Sequence, residues 1–579
     1  GDRAPRSQRE EILCGLFADV LGLERVAPTA NFFEIGGDSI LSIQLVSRAR
    51  RAGLAFSARD VFTHQSAAGL ATVAEEAGTG VEHRTPDDGT GPVEATPIMY
   101  WLRELGGSWQ GFNQSMVVQV PAGADHARLA TALGALATRH DVLRMRAVPD
   151  ADHGWRLAIP SALEAQSGRP VPLTRVDTAG LSGPALDAVT AQEAEAARLR
   201  LDPAEGAMIQ FVWFDQGPER PGRLLIVAHH LVVDGVSWRI LLPDLAAAWA
   251  GQELDPVPMS FRRWAGLLTE AAGARRSERG LWEATVATPD PVLGTGPLDP
   301  ERDVAGTTRS VTLRLPAEVT RELLTTVPAS YHAGINDVLL TGLTLAVLQH
   351  RRQQGLTATS LLLDLEGHGR EEIVPGADLS RTVGWFTALH PVRLDPGDVA
   401  DAELTAPGPF IGRALKQIKE QLRALPDHGI GFGMLHRLTP EGGRLSHPAP
   451  EIGFNYLGRF DAAPPGEQAP TADWTVVPGA AGPQPRDPEM AVGHALEINA
   501  VTEDLPAGPE LTATWTWPDA LFAEQDVRAL ATAWFRMLRA LAEHAEAPEA
   551  GGYTPSDLSL VSLSQDEIDD LEAELRELA

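Results

Sequence analysis

The sequence predicts a multidomain protein in which a small four-helix bundle precedes a large α/β domain built in two lobes. At 579 residues the chain is longer than one compact core accommodates. Across residues 1–77 apolar positions recur at helical spacing and never alternate as in a strand. Beyond Pro97, short wholly apolar runs of strand type alternate with long helical segments.

The helical spacing runs through EEILCGLFADVLGL, ILSIQLVSRARRAG, SARDVF and SAAGLATVAEEA, which assigns residues 1–77 to the bundle. Residues 78–96, GTGVEHRTPDDGTGPVEAT, are rich in Gly, Thr, Pro and Asp without periodicity. They predict a flexible linker, spanning roughly 21–25 Å as a coil. The large domain follows over residues 97–579. Its first lobe, residues 97–285, contains RLLIVAHH, a buried-strand run, and then SWRILLPDLAAAWAG, a helix bounded by Ser237. The Pro/Gly-rich stretch ATPDPVLGTGPLDPERD joins it to a second lobe, residues 286–579. There SLLLDLEGHGRE repeats the strand-then-loop pattern, and LTATWTW alternates like a strand before an amphipathic helix through AEQDVRALATAWFRMLRALAEH. DAAPPGEQAPTAD and PGAAGPQPRDPE read as surface loops of this lobe. Ser564 and Glu567 form a capping box that opens a terminal acidic helix.

A formal charge of −30, spread along the chain, argues against a nucleic-acid or anionic-membrane surface, which would need a basic patch. Cys14 is the sole cysteine, which excludes a disulfide framework, a cysteine metal site and two-cysteine racemization. Lys416 and Lys419 are the only lysines, so few residues could form a pyridoxal phosphate Schiff base. No apolar run approaches the ~20 residues of a membrane span and the N-terminus lacks a signal-peptide pattern, so a cytoplasmic location is expected. The chain opens on a charged helix, as expected of a piece of a longer polypeptide.

In NFFEIGGDSILSIQLV, two glycines allow a tight turn and Asp38-Ser39 opens a helix. Ser39 reads as an ordinary N-cap or as a modification site, where a phosphodiester would face free backbone N–H groups and the positive dipole end. Cys14 lies among Ile12, Leu13 and Leu16 and reads as core. His229 and His230 end the apolar run and LVVDGVSW follows, giving HHxxxDGxSW. Adjacent strand residues face opposite sides, so one histidine faces a site and the other the core. Asp234, ahead of Gly235, reads first as a turn residue or ion-pair partner that holds the loop.

The bundle, above all FFEIGGDSILSIQLVSRAR, resembles the peptidyl carrier domains of nonribosomal peptide synthetases. The resemblance implies 4'-phosphopantetheine on Ser39, installed from coenzyme A by a phosphopantetheinyl transferase. HHxxxDGxSW resembles the motif of the condensation-domain superfamily, whose two lobes are like chloramphenicol acetyltransferase. That likeness puts His230 in the channel, with His229, Asp234 and Gly235 in support. EGHGRE, RTVGWFTALHP, PDHGIGFG and FNYLGRF resemble epimerization domains in the same order, as do PIMYW at Pro97 and NDVLLTGL at Asn336. Three positions depart: His390 stands for a frequent aromatic, Phe432 for a frequent tyrosine and Met99 for a frequent glutamine.

What the resemblance implies is an isomerase that converts a carrier-bound L-aminoacyl or peptidyl thioester to an L/D mixture. The chemistry is two-base proton removal and return at the α-carbon through an enolate. His230 suits one base by its intrinsic pKa. Glu366 suits the other, because partial burial behind LLLDL raises its pKa; the alternative is a strand-end carboxylate paired with Arg370 or another arginine. Tyr456 is the candidate donor to the enolate oxygen, or else core, with backbone N–H groups near Gly235 or Gly367 as alternatives. Trp385 reads as a channel wall, and Asp364 and Glu371 as structural. The carrier is expected to serve its epimerization domain in cis, between an upstream adenylation domain and a downstream condensation domain, with no nucleic acid, membrane or metal. Two other readings stay open: a condensation enzyme forming a peptide bond with His230 orienting the amine, and a non-catalytic docking relative. The histidine motif does not separate the first two; Glu366 does.

Overall fold

Four helices open the chain: α1 (Gln8–Leu21), α2 (Ser39–Arg51), α3 (Ala58–His64) and α4 (Ala67–Val73). They are seen in a computed structural model describing residues 3–578 apart from 34, 38, 77–86, 88, 151–153, 167–170, 375, 407, 440–444, 446–448, 462–472, 478, 481, 549 and 559–562. Ser7 caps α1 by accepting from the Glu10 N–H, and Gly22 ends it in the left-handed region. Leu13, Phe17, Phe32, Leu45, Ala49, Val61 and Leu70 are fully buried between the helices, with Phe17 edge-on to Phe32 at 5.0 Å. Truncating either ring to Ala costs about 3–5 kcal/mol. Cys14 is buried among them.

The large domain begins earlier than its sequence suggests. Gly91–Val93, read as linker, forms β1, which pairs with a later strand, and Asp87 accepts from Arg262. The rest of the segment, residues 77–86 and 88, lies outside the described residues.

In the first lobe, α5 (Pro97–Leu105), β2 (Asn113–Val120), α6 (His126–Arg139), β3 (Arg146–Asp150) and β4 (Gly154–Ile159) come first. They are followed by β5 (Leu173–Asp177), α7 (Gly183–Leu199), β6 (Ile209–Asp215), β7 (Gly222–His229) and α8 (Gly235–Trp249). The strands make two sheets, ordered β1-β4-β3 and β2-β7-β6-β5. β6 and β7 are buried on both faces, which is why they read as continuous apolar runs rather than alternating ones. The helix after the histidines starts before Ser237. Asp234 is its N-cap and accepts from the Ser237 N–H at 2.8 Å, while Ser237 Oγ returns a bond to the cap.

The second lobe is one six-stranded sheet. Its strands are β8 (Thr308–Leu315), β9 (Leu361–Gly367), β10 (Ala388–Leu394), β11 (Ile452–Asp461), β12 (Leu496–Leu505) and β13 (Gly508–Pro518), ordered β8-β13-β12-β11-β9-β10. β9 runs parallel to β11 with Leu365 opposite Phe454, and β11 runs parallel to β12 with Asn455 opposite Asn499. Helices Ile335–Gln353 and Glu524–Ala545 cover one face, where Phe454, Trp515 and Trp534 are fully buried. Ser564 and Glu567 close the capping box of the last helix, Gln565–Leu578. Among the described residues no single helix is long and apolar enough to cross a membrane.

In the Pro/Gly-rich stretch before β12, the described part of the run PGAAGPQPRDPE is loop, exposed or half-buried apart from Asp487, but the residues just ahead of it are held on the first lobe. Trp474 N–H donates to the Gln119 carbonyl, Gln119 N–H to the Thr475 carbonyl and Val477 N–H to the Val117 carbonyl, extending the first-lobe sheet along β2. Asn113 N–H donates to the Pro485 carbonyl, and Asp487 pairs with the buried Arg198. A chain segment of the second lobe thus crosses to the first and carries Arg486 to their junction. The first part of the stretch, residues 462–472, lies outside the described residues.

The bundle is seated on both lobes. Arg50 pairs with Asp378 at 2.5 Å, Arg51 approaches Asp255 at 3.4 Å, and the Phe62 ring lies 5.4 Å from that of His428.

Candidate active site

His229 and His230 leave β7 on opposite sides, as alternation requires. His229 Nε2–H donates to the Trp109 carbonyl at 2.9 Å and its Nδ1 accepts from the Leu231 N–H at 3.1 Å, so both ring nitrogens are satisfied inside the first lobe. Burial pushes its pKa down to about 4, so it is a neutral core residue.

His230 is half-buried and stacks on Phe112 at 4.8 Å, with Trp385 at 4.6 Å. Its Nε2 stands 3.1 Å from Gln114 Nε2. Burial likewise pushes its pKa down to about 4, with Asp234 working against the shift and Arg486 adding to it. Trp385 also meets the Phe112 ring, at 5.7 Å.

Asp234 and Gly235 hold the loop rather than the chemistry. Arg370 Nη1 and Nη2 reach the Asp234 carboxylate at 2.6 and 3.1 Å with both side chains buried, and the Phe386 N–H donates to it as well. Arg370 is therefore committed to Asp234 and is not the partner of Glu366.

Glu366 sits near the end of β9, and the alternation of the sheet sorts its neighbours. Asp364, Glu366, Asn455, Glu497 and Asn499 share the face opposite the covering helices. Asn455 Nδ2 donates to Glu366 Oε2 at 3.0 Å, Asp364 accepts from His494 at 3.0 Å, and Arg486 bonds Glu497 at 2.9 Å. Burial and then the charge of Glu497 push the Glu366 pKa up to about 7, against the opposing charges of His494 and Arg486. Burial opposes charge on His494, but its bond to Asp364 and the neighbouring carboxylates outweigh that and raise its pKa. Arg486 acts on both His230 and Glu366, as the crossing segment that delivers it requires.

Tyr456 is not brought to this face. It follows Asn455 by one residue, so it points to the other side of the sheet and packs on the second-lobe core, where its hydroxyl meets that of Thr502 at 2.9 Å. The FNYLG run thus contributes its asparagine, not its tyrosine, to the Glu366 face. Sequence reasoning also missed Gln114, Arg486, His494 and Glu497. Fixing the parity of FNYLG from Phe454 as a core position would have exchanged Tyr456 for Asn455.

At the other end of the chain, Ser39 is the first residue of α2, where backbone N–H groups lack intrahelical partners. Gly36 takes φ +105°, and a Cβ on Gly37 would collide with the Phe32 ring, so this turn needs both glycines. Asp38 lies outside the described residues. A serine at a helix start suits a phosphodiester-linked arm.

Residues 11–74 match the phosphopantetheine attachment site family and residues 94–560 match the condensation domain family. A linear gramicidin synthase of Brevibacillus parabrevis is 38% identical over 98% of this chain, which covers 7% of that protein. Tyrocidine synthase 1 of the same organism is 32% identical over 98% of this chain, which covers 51% of that protein. The chain therefore spans only part of these relatives. Among solved structures, the epimerization domain from the third module of tyrocidine synthetase B matches with TM-score 0.67 and 27% identity, covering 79% of this chain and 98% of that one. The X-domain from teicoplanin biosynthesis, at TM-score 0.56 and 19% identity, covers 80% of this chain and 97% of its own and shares the fold. The chain belongs to the condensation-domain family of nonribosomal peptide synthetases, with a phosphopantetheine carrier domain ahead of its two-lobed domain.

Proposed function

We propose that this chain inverts the α-carbon of an aminoacyl or peptidyl group held as a phosphopantetheine thioester on Ser39, converting L to an L/D mixture. The observation that carries the reading is that Arg486 acts on both His230 of the first lobe and Glu366 of the second, whose pKa values are displaced in opposite directions. Burial keeps His230 neutral, while burial and Glu497 keep Glu366 protonated up to about pH 7. Inversion needs one group ready to accept a proton and another ready to give one, from different sides. Likeness to the tyrocidine epimerization domain supports the same reading.

The thioester arm, when present, tethers the acyl group and acidifies its α-C–H. His230 and Glu366, one from each lobe, exchange protons with the two faces of that carbon. Asn455 orients the Glu366 carboxyl, and Arg486 supplies positive field for the oxygen that gains charge. Tyr456 has no part in this. The contacts of Arg50, Arg51 and Phe62 favour catalysis in cis. A phosphopantetheinyl transferase, an upstream adenylation domain, a downstream condensation domain and a cytoplasmic setting complete the proposal.

Loading Ser39 with an L-aminoacyl-phosphopantetheine, then hydrolysing it and resolving the acid by chiral chromatography, tests the reading. An L/D mixture is expected, and none with Ser39→Ala. L-acid alone, or amide formed with an added amine, contradicts it.

A further inference from the structure

Gln114 lies on β2 with both ends of its carboxamide engaged. Trp238 Nε1–H donates to Gln114 Oε1 at 2.8 Å, and Gln114 Nε2 stands 3.1 Å from His230 Nε2. An indole nitrogen only donates, so the amide oxygen is held toward Trp238 and the NH2 toward His230. His230 Nε2 must therefore accept, which leaves the ring proton on Nδ1. A protonated ring would set N–H against N–H. Phe112, stacked at an interplanar angle of 23°, and Trp385 resist rotation away from that clash.

The neighbouring residue makes the contrast. His229 donates from Nε2 and accepts at Nδ1, so two adjacent histidines on one strand are held in opposite tautomers. Of the other groups acting on His230, its own backbone, the Asp234 carboxylate and the Val233 backbone favour its charge, and Arg486 opposes it.

We propose that Gln114, oriented by Trp238, is a positioning residue that holds His230 as the neutral Nδ1–H tautomer and reserves its Nε2 lone pair as the proton acceptor of the site. This rests on the epimerase reading and goes beyond it by assigning where the mobile proton resides. In the resting pair that proton is on Glu366. A substrate α-C–H reaching Nε2 displaces the Gln114 N–H. The C–H bond breaks, its proton goes to His230 Nε2 and its electron pair to the thioester carbonyl. The Glu366 carboxyl proton then forms the new C–H bond on the other face, leaving imidazolium and carboxylate. Turnover in the opposite sense, or exchange with solvent, restores the pair, so protons balance. The imidazolium faces the Gln114 NH2, which favours giving its proton up.

The test is nitrogen-15 NMR of the full chain labelled at histidine, without a loaded acyl group, alongside the pH profile of α-proton exchange in the loaded chain. Wild-type His230 is expected to be protonated at Nδ1 and bare at Nε2 near neutral pH. Gln114→Glu replaces the donor by a carboxylate, which should move the proton to Nε2 and raise the ring midpoint, and the acid limb of the profile with it, by about one pH unit or more. Trp238→Phe frees the amide to turn and should mix the tautomers. A wild-type His230 protonated at Nε2, or Gln114→Glu and Trp238→Phe both leaving tautomer and midpoint unchanged, overturns the inference. The spectrum needs no turnover. The wrong tautomer with intact epimerization refutes the inference alone, whereas the expected tautomer without α-proton exchange supports it and refutes the epimerase reading.

Discussion

Asn455 Nδ2 donates to Glu366 Oε2 at 3.0 Å, joining two parallel strands on the face of the sheet that the helices leave open. A donor to a carboxylate favours its ionised form, so this bond opposes the burial that lifts Glu366 to about 7. Asn455→Ala should therefore move the Glu366 limb of the pH profile upward and, because it also removes the bond that orients the carboxyl, slow α-proton exchange about tenfold or more across the profile. An unmoved limb would show that the bond does not tune the carboxyl.

Glu366→Gln should separate chemistry from stability. The folded-state pKa is raised above the unfolded value, so the folded chain binds the extra proton between roughly pH 4.5 and 7. Stability from this group is lost as pH rises through that window. A neutral glutamine escapes the loss, so the variant should be inactive yet melt higher than wild type at pH 8, with the gain shrinking below pH 5. Thermal melts at the two pH values check it.

Arg370 and Asp234 form a buried ion pair that sets the loop between His230 and its helix. Arg370→Met leaves the Asp234 charge uncompensated and should cost about 3–5 kcal/mol, read as a lowered denaturant midpoint. Adding Asp234→Asn should restore part of it. Equal stability of the single and double variants would remove the pair from this role.

Arg50 of the carrier meets Asp378 of the large domain. Arg50→Glu should slow epimerization in cis about three- to tenfold at low salt, and Asp378→Arg in the same chain should recover the rate. At about 1 M salt the difference should fade. Single-turnover rates at two ionic strengths distinguish this from misfolding.

The four-helix bundle, the strand that ends in the histidines and the strand that ends in Glu366 were legible because each is a long periodic or wholly apolar run with a clear stop. Parity gave the split between His229 and His230. Tyr456 was misassigned because FNYLG is a short run whose face is set by the parallel pairing of Phe454 with Leu365, a tertiary fact. Arg486 was invisible because PGAAGPQPRDPE has no alternation; its pairing to β2 is backbone hydrogen bonding, which side-chain pattern does not record. Gln114 belongs to no motif in the sequence, and its meaning depends on Trp238 and His230, more than a hundred residues away.

The most direct measurement is α-proton exchange on the Ser39-loaded chain in deuterated water, followed by release and mass and chiral analysis of the acid. The proposed chemistry predicts deuterium at the α-carbon together with D-product in wild type, and a loss of about a thousandfold or more in both His230→Ala and Glu366→Gln. Retained protium without D-product in the wild-type chain, or normal exchange in either variant, contradicts it.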